Sequence, residues 1–179
     1  ALLIALRGNP ILYQGEELGL TQVDIPFERL QDPEAIANWP LTLSRDGART
    51  PLPWTAEAAQ AGFSSAEPWL PHGDDHLALA VDAQDADPAS LMNLTRHLLA
   101  LRKANPALHH GALDILIADE RTLAFRRTAD GQSMLCLFNL SNQPVQWPDE
   151  IAASNHVLCT INDAAPGALP AYGALLIEE

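Results

Sequence analysis

The sequence of 179 residues is long enough for one ordinary domain, or for one domain and part of another. Hydrophobic residues make up 47% of the chain, which allows a buried core, and the formal net charge of −13 disfavours nonspecific binding to nucleic acid phosphates or to an anionic membrane. We therefore expect no nucleic acid or membrane partner, whereas neutral ligands such as sugars are compatible with this charge.

The two cysteines, Cys136 and Cys159, form neither a disulfide framework nor a zinc-binding pattern. Each lies in an apolar, strand-like stretch, so we expect two buried thiols. No secretory signal is visible, and the chain begins inside an apolar segment without an initiator methionine, as if it continued a longer polypeptide. Any targeting segment would then precede Ala1. The expected location of the protein is the cytoplasm.

The first elements in chain order are a short helix and a short strand. Residues 1–6 are typical of the end of a buried helix, and Gly8 is placed to terminate it. The apolar run 11–13 predicts a strand buried on both faces, as in a parallel sheet. The polar residues 14–17 follow directly, and α/β barrels place their binding residues just after the carboxyl ends of strands.

A long irregular segment and a helix come next. Residues 18–86 contain many prolines and little periodicity, which predicts an extended loop with a function of its own. Asp87 as N-cap and Pro88 at the first helical position predict a helix over residues 87–104, with leucines on one stripe. Asn105 and Pro106 end it.

The remainder of the chain is predicted to be all β. Turn signals such as Asp119-Glu120 and Asp130-Gly131 separate six short apolar runs, at residues 113–118, 122–128, 133–140, 144–147, 156–161 and 169–177. Spacings of about ten residues predict a small antiparallel β-sandwich.

The first candidate for chemistry is the segment around Glu16 and Glu17. Retaining glycosidases need two carboxyl groups about 5 Å apart that face one substrate. Adjacent residues of an extended backbone point to opposite faces, so these two cannot both serve one bond. We expect one of them to face a pocket and the other to be structural.

The second candidate is the pair Arg45 and Arg49, four residues apart in a chain with only ten lysines and arginines. A guanidinium can donate two parallel hydrogen bonds to a carboxylate or to neighbouring hydroxyls. The alternative is an Arg–Asp pair that braces a loop, and the spacing alone favours that alternative. The segment 72–76, with two histidines and two aspartates around Gly73, contains metal-ligand residue types but is more typical of a solvated turn, so we expect no metal and no cofactor.

Several ordered motifs resemble the α-amylase superfamily, glycoside hydrolase family thirteen. Residues 8–19, Gly-Asn-Pro-Ile-Leu-Tyr-Gln-Gly-Glu-Glu-Leu-Gly, resemble its eighth-strand segment. Residues 45–54, Arg-Asp-Gly-Ala-Arg-Thr-Pro-Leu-Pro-Trp, resemble the Arg-Asp-x-x-Arg-Thr-Pro-Met-x-Trp signature of its oligo-1,6-glucosidase and α-glucosidase branch. Residues 68–71 and the helix ending at Pro106 continue the likeness in order.

The resemblance implies an α/β segment followed by an all-β segment: the last β/α unit of a (β/α)₈ barrel and a carboxyl-terminal antiparallel β-sandwich. Residues 1–105 would end the barrel, with an active-site loop at 18–86 and a final helix at 87–104, and residues 106–179 would form the sandwich. Such enzymes cleave α-glucosidic bonds of oligosaccharides with retention. Their three catalytic carboxylates would precede Ala1, so no catalytic residue is assigned here and the chain alone is expected to be inactive.

The resemblance also implies substrate-binding roles for four residues. Arg45 matches the arginine that helps to bind the innermost glucose, and Arg49 matches the second arginine, which would brace the pocket wall. Gln14 and Glu16 match positions at the pocket rim, as contacts or as support. The sequence departs from the signature at Leu52, where methionine is commoner, and at Pro53, where glutamine is commoner. These departures leave the substrate preference open.

Other functions stay open from the sequence. Relatives that act on trehalose or isomerise sucrose share these motifs. A stand-alone carbohydrate-binding module predicts exposed aromatic side chains on the β part, where Trp147 and Tyr172 are the large candidates. A noncatalytic structural module is the third alternative. The partner expected for the complete enzyme is an α-glucoside oligosaccharide, and the predicted strand after Pro10, without barrel neighbours, is expected to promote self-association.

Overall fold

A computed structural model describes residues 1–42, 44–149, 151 and 156–179. The chain divides into two compact units: residues 1–10 with 97–179, and residues 11–96. Among the described residues, no helix is long and apolar enough to cross a membrane. The α-helices are α1 Leu2–Ala5, α2 Pro33–Asn38, α3 Val81–Ala86, α4 Leu91–Ala104 and α5 Pro106–His110. The strands are β1 Ala112–Ala118, β2 Thr122–Ala129, β3 Gln132–Asn139, β4 Val157–Ile161 and β5 Ala174–Glu178.

The five strands form one antiparallel sheet in the order β1-β2-β3-β5-β4. The central strand β3 is buried on both faces, which explains its continuous apolar sequence. One face carries Leu135, Leu137, Leu175 and Ile177 and packs on a cluster from the segment that follows β3. The alternate residues of β2 and β3 form the opposite face, and α5 packs against these two strands.

The turn between β2 and β3 confirms the prediction from Asp130-Gly131. Asp130 has φ 53° and Gly131 has φ 79°, the two positive values that a tight two-residue hairpin turn requires. Asp and Gly tolerate this conformation better than other residues, and Ala129 pairs with Gln132 across the turn. The turn therefore sets the register of the two central strands.

Two buried arginines fix the amino-terminal helix within its unit. Arg102 is 5% exposed and Arg127 is fully buried. Burial lowers the pKa of both guanidinium groups. Their hydrogen-bond partners are backbone carbonyls around the end of α1 and the start of β1: Ile4, Leu6 and Gly8 for Arg102, and Ala5, Gly111 and Ala112 for Arg127. The carbonyls left unpaired at the end of a helix thus receive cationic donors.

The strand predicted at residues 11–13 is wrong. This segment makes no strand in the structure, and Ile11 is 81% exposed. A parallel strand exists only when neighbouring strands complete its hydrogen bonds, and the sheet of the described residues is antiparallel throughout. The expected self-association of this segment stays a prediction.

The predicted start of the long helix is also wrong, by three residues, since Pro88 was predicted as the first helical position. Helix α4 begins at Leu91, and the hydroxyl of Ser90 accepts a hydrogen bond from the Asn93 amide at 3.2 Å, as an N-cap does. Asp87 instead caps a local turn through the Ala89 amide at 2.9 Å. Asp87 and Ser90 are both residue types that cap helices, and Ser90 is the one that caps α4.

The predicted sandwich is a single sheet in the described residues. The run 144–147 contributes only Val145, which forms an isolated bridge with Leu169, and β5 begins at Ala174 instead of residue 169. Side chains outside the named strands bury this face of the sheet where a second sheet was expected: Val145, Trp147, Ile151, Ala164 and Leu169. The predicted domain boundary between residues 105 and 106 stays a prediction.

The segment predicted as a long loop has its own core. Ile25, Leu30, Ala35 and Leu70 are buried together. Gln84 ties the end of the segment in place, since its side-chain amide donates to the carbonyls of Leu18 and Leu79, both at 2.9 Å. Short helices and buried contacts therefore replace the regular periodicity that the sequence lacks.

Cys136 and Cys159 are free and buried, as predicted. Burial raises the pKa of the Cys136 thiol to about 12, and burial also raises that of Cys159. We expect neither thiol to react with a disulfide reagent in the native protein at about pH 8, because the thiolate is the reactive species. Titration with Ellman's reagent should give two equivalents only after denaturation, and one fast equivalent in native protein would contradict this prediction.

Candidate functional site

The candidate site is built on the turn around Asp46, which is 1% exposed. Its Oδ2 accepts hydrogen bonds from the backbone amides of Gln31 at 2.6 Å and Asp32 at 2.7 Å. Its own amide donates to the hydroxyl of Ser44 at 3.1 Å. A buried carboxylate thus joins the arginine-containing segment to the segment that precedes α2.

Asp32 makes the second connection between these segments. It is 1% exposed and caps α2 through the Glu34 amide at 3.3 Å, with Pro33 at the first helical position. Its Oδ2 also accepts from the backbone amide of Arg45 at 3.0 Å and from Arg45 Nε at 2.8 Å, while Arg45 Nη2 donates to Oδ1. The loop-bracing alternative considered for the sequence is therefore the geometry observed for Arg45.

The same pair shifts both pKa values. The hydrogen bond from the Arg45 side chain, followed by that from its backbone amide, holds the pKa of Asp32 well below its ordinary value of 3.8. Conversely, the hydrogen bond to Asp32 and its negative charge raise the pKa of Arg45, to which the nearby Glu34 carboxylate also contributes. Both groups are ionised at neutral pH.

This pair predicts a pH dependence of stability. Because the pKa of Asp32 is depressed in the folded state, its contribution is present above about pH 4 and is lost as the pH falls through the folded-state value. The stability difference between the wild type and Asp32→Asn should stay constant from about pH 7 to pH 5 and shrink below about pH 4. Urea unfolding followed by tryptophan fluorescence measures it, since Trp39, Trp54 and Trp69 lie in this unit. A difference that grows toward acid pH would contradict the prediction.

Arg49 is held less tightly than Arg45. Its Nη1 lies 3.9 Å from Asp46 Oδ1, beyond hydrogen-bond distance, and its side chain is 43% exposed. The donors of this guanidinium are therefore less occupied by protein acceptors than those of Arg45, whose side chain is the more exposed of the two, at 63%. Arg45 and Arg49, which the sequence analysis treated as a pair, thus differ in their hydrogen-bond partners.

The segment containing Gln14 and Glu16 forms a compact turn. Gly15 and Gly19 have φ of 93° and 77°, and residues 16–18 form one turn of 3-10 helix. Glu16 Oε2 accepts from the Tyr13 amide at 3.0 Å, and Glu17 Oε2 accepts from the Gly15 amide at 2.7 Å. Both carboxylates therefore stabilise the turn that carries them.

Two cavities connect these features. The arginine cavity, of about 570 Å³, is lined by Tyr13, Gln22, Glu34, Thr42, Ser44, Arg45, Ala48 and Arg49. The rim cavity, of about 180 Å³, shares Tyr13, Gln22 and Ala48 with it and is also lined by Gln14, Glu16 and Leu52. The structure thus places Arg45 and Arg49 in one cavity and Gln14 and Glu16 in the adjoining one.

Gly47 lines the rim cavity and allows two backbone segments to meet there. The Val23 amide donates to the Gly47 carbonyl at 3.1 Å, so two backbone segments touch. A Cβ on Gly47 would lie 2.1 Å from the Val23 carbonyl oxygen and 2.4 Å from Gln22 Nε2. No side chain fits without separating the two segments.

The segment with two histidines does not form a metal site. His76 is buried, and its Nε2 lies 3.1 Å from the Thr21 carbonyl, so this nitrogen carries the proton and donates. His76 Nδ1 and both ring nitrogens of His72 are buried without a hydrogen-bond partner. Within the described part of the chain, no three histidine, cysteine or acidic side chains are grouped to hold a metal ion.

Two acidic residues of this site were missed in the sequence. Asp32 and Glu34 flank Pro33, and an aspartate before a proline is a helix-start signal that could have revealed α2 and its N-cap. No sequence signal links Asp32 to Arg45, thirteen residues away. That pairing depends on the fold.

Comparison with known proteins identifies the family. The model of the α-amylase catalytic domain matches residues 1–111. A probable α-glucosidase of Rhizobium meliloti is 44% identical over 143 residues, which are 80% of this chain and 26% of that protein. The trehalose-6-phosphate hydrolase of Escherichia coli is 32% identical over 164 residues, 82% of this chain and 30% of that protein.

A solved structure of an α-glucosyl transfer enzyme is also similar to this chain. The α-glucosyl transfer enzyme XgtA superimposes with a TM-score of 0.86 and 40% identity, over 99% of this chain and 34% of that protein. The chain therefore spans about a quarter to a third of the length of these relatives. The family match covers more than half of the chain, and the chain belongs to the α-amylase family, glycoside hydrolase family thirteen, with α-glucosidases among its relatives.

Proposed function

We propose that this chain is the carboxyl-terminal part of a retaining α-glucosidase and forms one wall of its sugar-binding cleft. The observation that carries the proposal is the arginine cavity, where the exposed guanidinium of Arg49 lies with Tyr13 in a space of about 570 Å³. Guanidinium donors and an aromatic ring suit the hydroxyls and the apolar face of a sugar.

The hydrogen bonds support a distribution of roles that differs from the one implied by the signature. Arg45 donates through Nε and Nη2 to Asp32 and would position the wall, whereas Arg49 has no hydrogen-bonded carboxylate and would contact the substrate. Glu16 is engaged with the Tyr13 amide, which supports a bracing role, and Gln14 at the rim is the better candidate for a contact.

The isolated chain is not expected to hydrolyse glucosides. The mechanism requires two carboxyl groups that flank one bond, and the adjacent pair Glu16 and Glu17 is committed to backbone amides. The identities of the relatives leave hydrolysis and glucosyl transfer as alternatives, since XgtA is an α-glucosyl transfer enzyme. The name of the trehalose-6-phosphate hydrolase shows that membership of the family does not decide whether the substrate is neutral or phosphorylated.

The test compares the full-length protein that carries this chain with the isolated chain. The full-length protein should release p-nitrophenol from its α-glucoside with retention of the anomeric configuration, which proton NMR of the first product reports. The isolated chain should show no turnover above the uncatalysed rate. Arg49→Ala should lower kcat/KM by about a hundredfold, because a charged donor to the substrate is lost.

Arg96→Ala is the matched control, since Arg96 is an exposed arginine of the same unit that pairs with Asp85 at 2.5 Å and lies outside both cavities. Its kcat/KM should stay within about twofold of the wild type. Turnover by the pure isolated chain, or an Arg49→Ala enzyme as active as the control, would overturn the proposal.

A further inference from the structure

A further cavity, of about 300 Å³, lies within the unit of residues 1–10 and 97–179, and the proposed function does not use it. One of its walls is the turn between β1 and β2, which contributes Asp119 and Thr122, and the other is the segment 146–149. We call it the tryptophan cavity because Trp147 lines it. Its volume is at the lower end of the range for small-molecule sites, which suits a ligand of about one sugar ring.

Both walls of the tryptophan cavity are held by local hydrogen bonds. Asp119 Oδ1 accepts from the backbone amides of Arg121 at 2.8 Å and Thr122 at 2.7 Å, and the Asp119 amide donates to the Thr122 carbonyl at 3.1 Å. On the other side, Trp147 Nε1 donates to the Ile151 carbonyl at 2.8 Å. The cavity is therefore formed before a ligand binds, which reduces the cost of ordering the site on binding.

A buried hydroxyl without a partner points to a ligand in this cavity. Thr122 is 6% exposed and lines the cavity, and its hydroxyl makes no hydrogen bond within the described residues. The fully enclosed, unpartnered polar atoms of those residues belong to His72 and His76, so the Thr122 hydroxyl stays reachable from the cavity. A buried polar group that lacks a partner destabilises the fold, and a bound ligand would supply that partner.

The other polar groups of the lining are mostly acceptors. Asp119 Oδ2 and both carboxylate oxygens of Asp149 accept no hydrogen bond within the described part of the chain, and the Gln146 amide has no partner there either. The lining contains no lysine or arginine, and no third carboxylate or histidine of the described residues joins the two aspartates to hold a metal ion. Two carboxylates, an amide and a hydroxyl suit a neutral ligand that is rich in hydroxyl donors.

The indole of Trp147 supplies an apolar surface beside these acceptors. Its single polar atom, Nε1, is already used by the Ile151 carbonyl, so the ring offers carbon atoms to the cavity, with Pro148 next to it in the lining. An aromatic ring flanked by hydrogen-bonding groups is complementary to a sugar ring, which has an apolar face and hydroxyls around its edge.

We propose that the tryptophan cavity is a binding site for a neutral saccharide, in which the sugar ring lies on Trp147 and its hydroxyls donate to Asp119 and Asp149. The Thr122 hydroxyl and the Gln146 amide complete the hydrogen bonds of the ligand. An anionic sugar is disfavoured because the two carboxylates repel it and no cation of the lining attracts it. This site goes beyond the proposed cleft, because its lining residues belong to the other compact unit of the chain.

Nuclear magnetic resonance of the full-length protein, isotope-labelled at tryptophan, reports on this cavity independently of turnover. The indole resonance that is absent from the spectrum of Trp147→Phe belongs to Trp147. Titration with glucose should shift this resonance in a saturable manner, with a dissociation constant of about 1–10 mM, as expected for a small site with few contacts. Glucuronate should bind at least about tenfold more weakly at low salt, because the carboxylates of the lining repel it.

Thr122→Val tests the buried hydroxyl, since it replaces that group by a methyl group and keeps the branched shape. It should weaken glucose binding by about 3- to 10-fold and should not lower Tm, because the hydroxyl that it removes has no partner within the described residues. Thr128→Val is the matched control on the same strand and lies outside the lining. Its dissociation constant should stay within about twofold of the wild type.

Asp149→Asn tests the carboxylate opposite the turn, and it should weaken glucose binding by about 3- to 10-fold because a charged acceptor is lost. The control is Asp114→Asn, which changes an exposed aspartate of the same unit outside the lining and should leave binding within about twofold.

A Trp147 resonance that does not respond to glucose would overturn the site, and so would Thr122→Val and Asp149→Asn proteins that bind glucose as tightly as their controls. Glucuronate bound as tightly as glucose, or glucosamine bound without any response to glucose, would overturn the assignment to a neutral ligand. The p-nitrophenyl glucoside assay tests the proposed cleft separately, so the failure of one proposal is distinguishable from the failure of the other.

Discussion

Replacing Arg127 with methionine is expected to lower the free energy of unfolding by about 3 kcal/mol. The fully buried guanidinium donates to three carbonyls, those of Ala5, Gly111 and Ala112. Buried acceptors that lose their donors cost about 1–3 kcal/mol each, and the removal of a buried cation offsets part of this loss. Urea unfolding followed by circular dichroism measures the change.

The neighbouring residue supplies the matched control. Arg126 projects to the other face of β2 and pairs at the surface with Glu179, at 2.6 and 2.8 Å. Arg126→Met removes the same guanidinium and should cost only about 0–1 kcal/mol, as exposed ion pairs do. An equal decrease in the free energy of unfolding for the two variants would show that the buried hydrogen bonds of Arg127 to carbonyls stabilise the fold no more than the surface ion pair of Arg126 does.

Replacing Asp46 with alanine is expected to have the largest effect on the candidate site. Two backbone amides, the part-buried one of Gln31 and the buried one of Asp32, would lose their acceptor, at a cost of about 2–4 kcal/mol. Because the segment carrying Arg45 and Arg49 would lose one of its two connections to the start of α2 and keep only that between Arg45 and Asp32, kcat/KM of the full-length enzyme should fall by about a hundredfold, as when groups are misplaced by about 1 Å.

Asp74→Ala controls for the loss of an acidic side chain, since Asp74 is exposed in the same unit. Its stability should change by less than about 0.5 kcal/mol. Hydrogen exchange at the amides of Gln31 and Asp32 locates the effect of Asp46→Ala, and unchanged protection there would contradict the assigned role of the carboxylate.

The parts of the fold that were predictable are those governed by local sequence. The runs at 113–118, 122–128 and 133–140 form strands because alternation and the Asp130-Gly131 turn act over a few residues. The strand at 11–13 failed because a parallel strand depends on partners that its own sequence cannot supply. The prediction of a second sheet failed for a related reason, since in the residues that the structure describes apolar side chains bury that face of the sheet without forming a ladder.

The candidate site was predictable in part. The motif identified the segment with Arg45 and Arg49, and the structure places both in one cavity. The motif gave no indication that Asp32 would accept hydrogen bonds from Arg45, because hydrogen bonds between distant segments depend on how the chain folds. Glu34 stands in an unremarkable sequence, and only its place in the cavity lining draws notice to its charge.

The close approach at Gly47 limits how this wall could be re-engineered. The α-glucosidase signature leaves that position unspecified, yet here its Cβ site is occupied by the Val23 carbonyl and the Gln22 side chain. Loop grafts that introduce any larger amino acid at position 47 would therefore push residues 22–23 outward and enlarge the cleft. Transplanting the turn from another glucosidase should succeed only when residues 22–23 are transplanted with it.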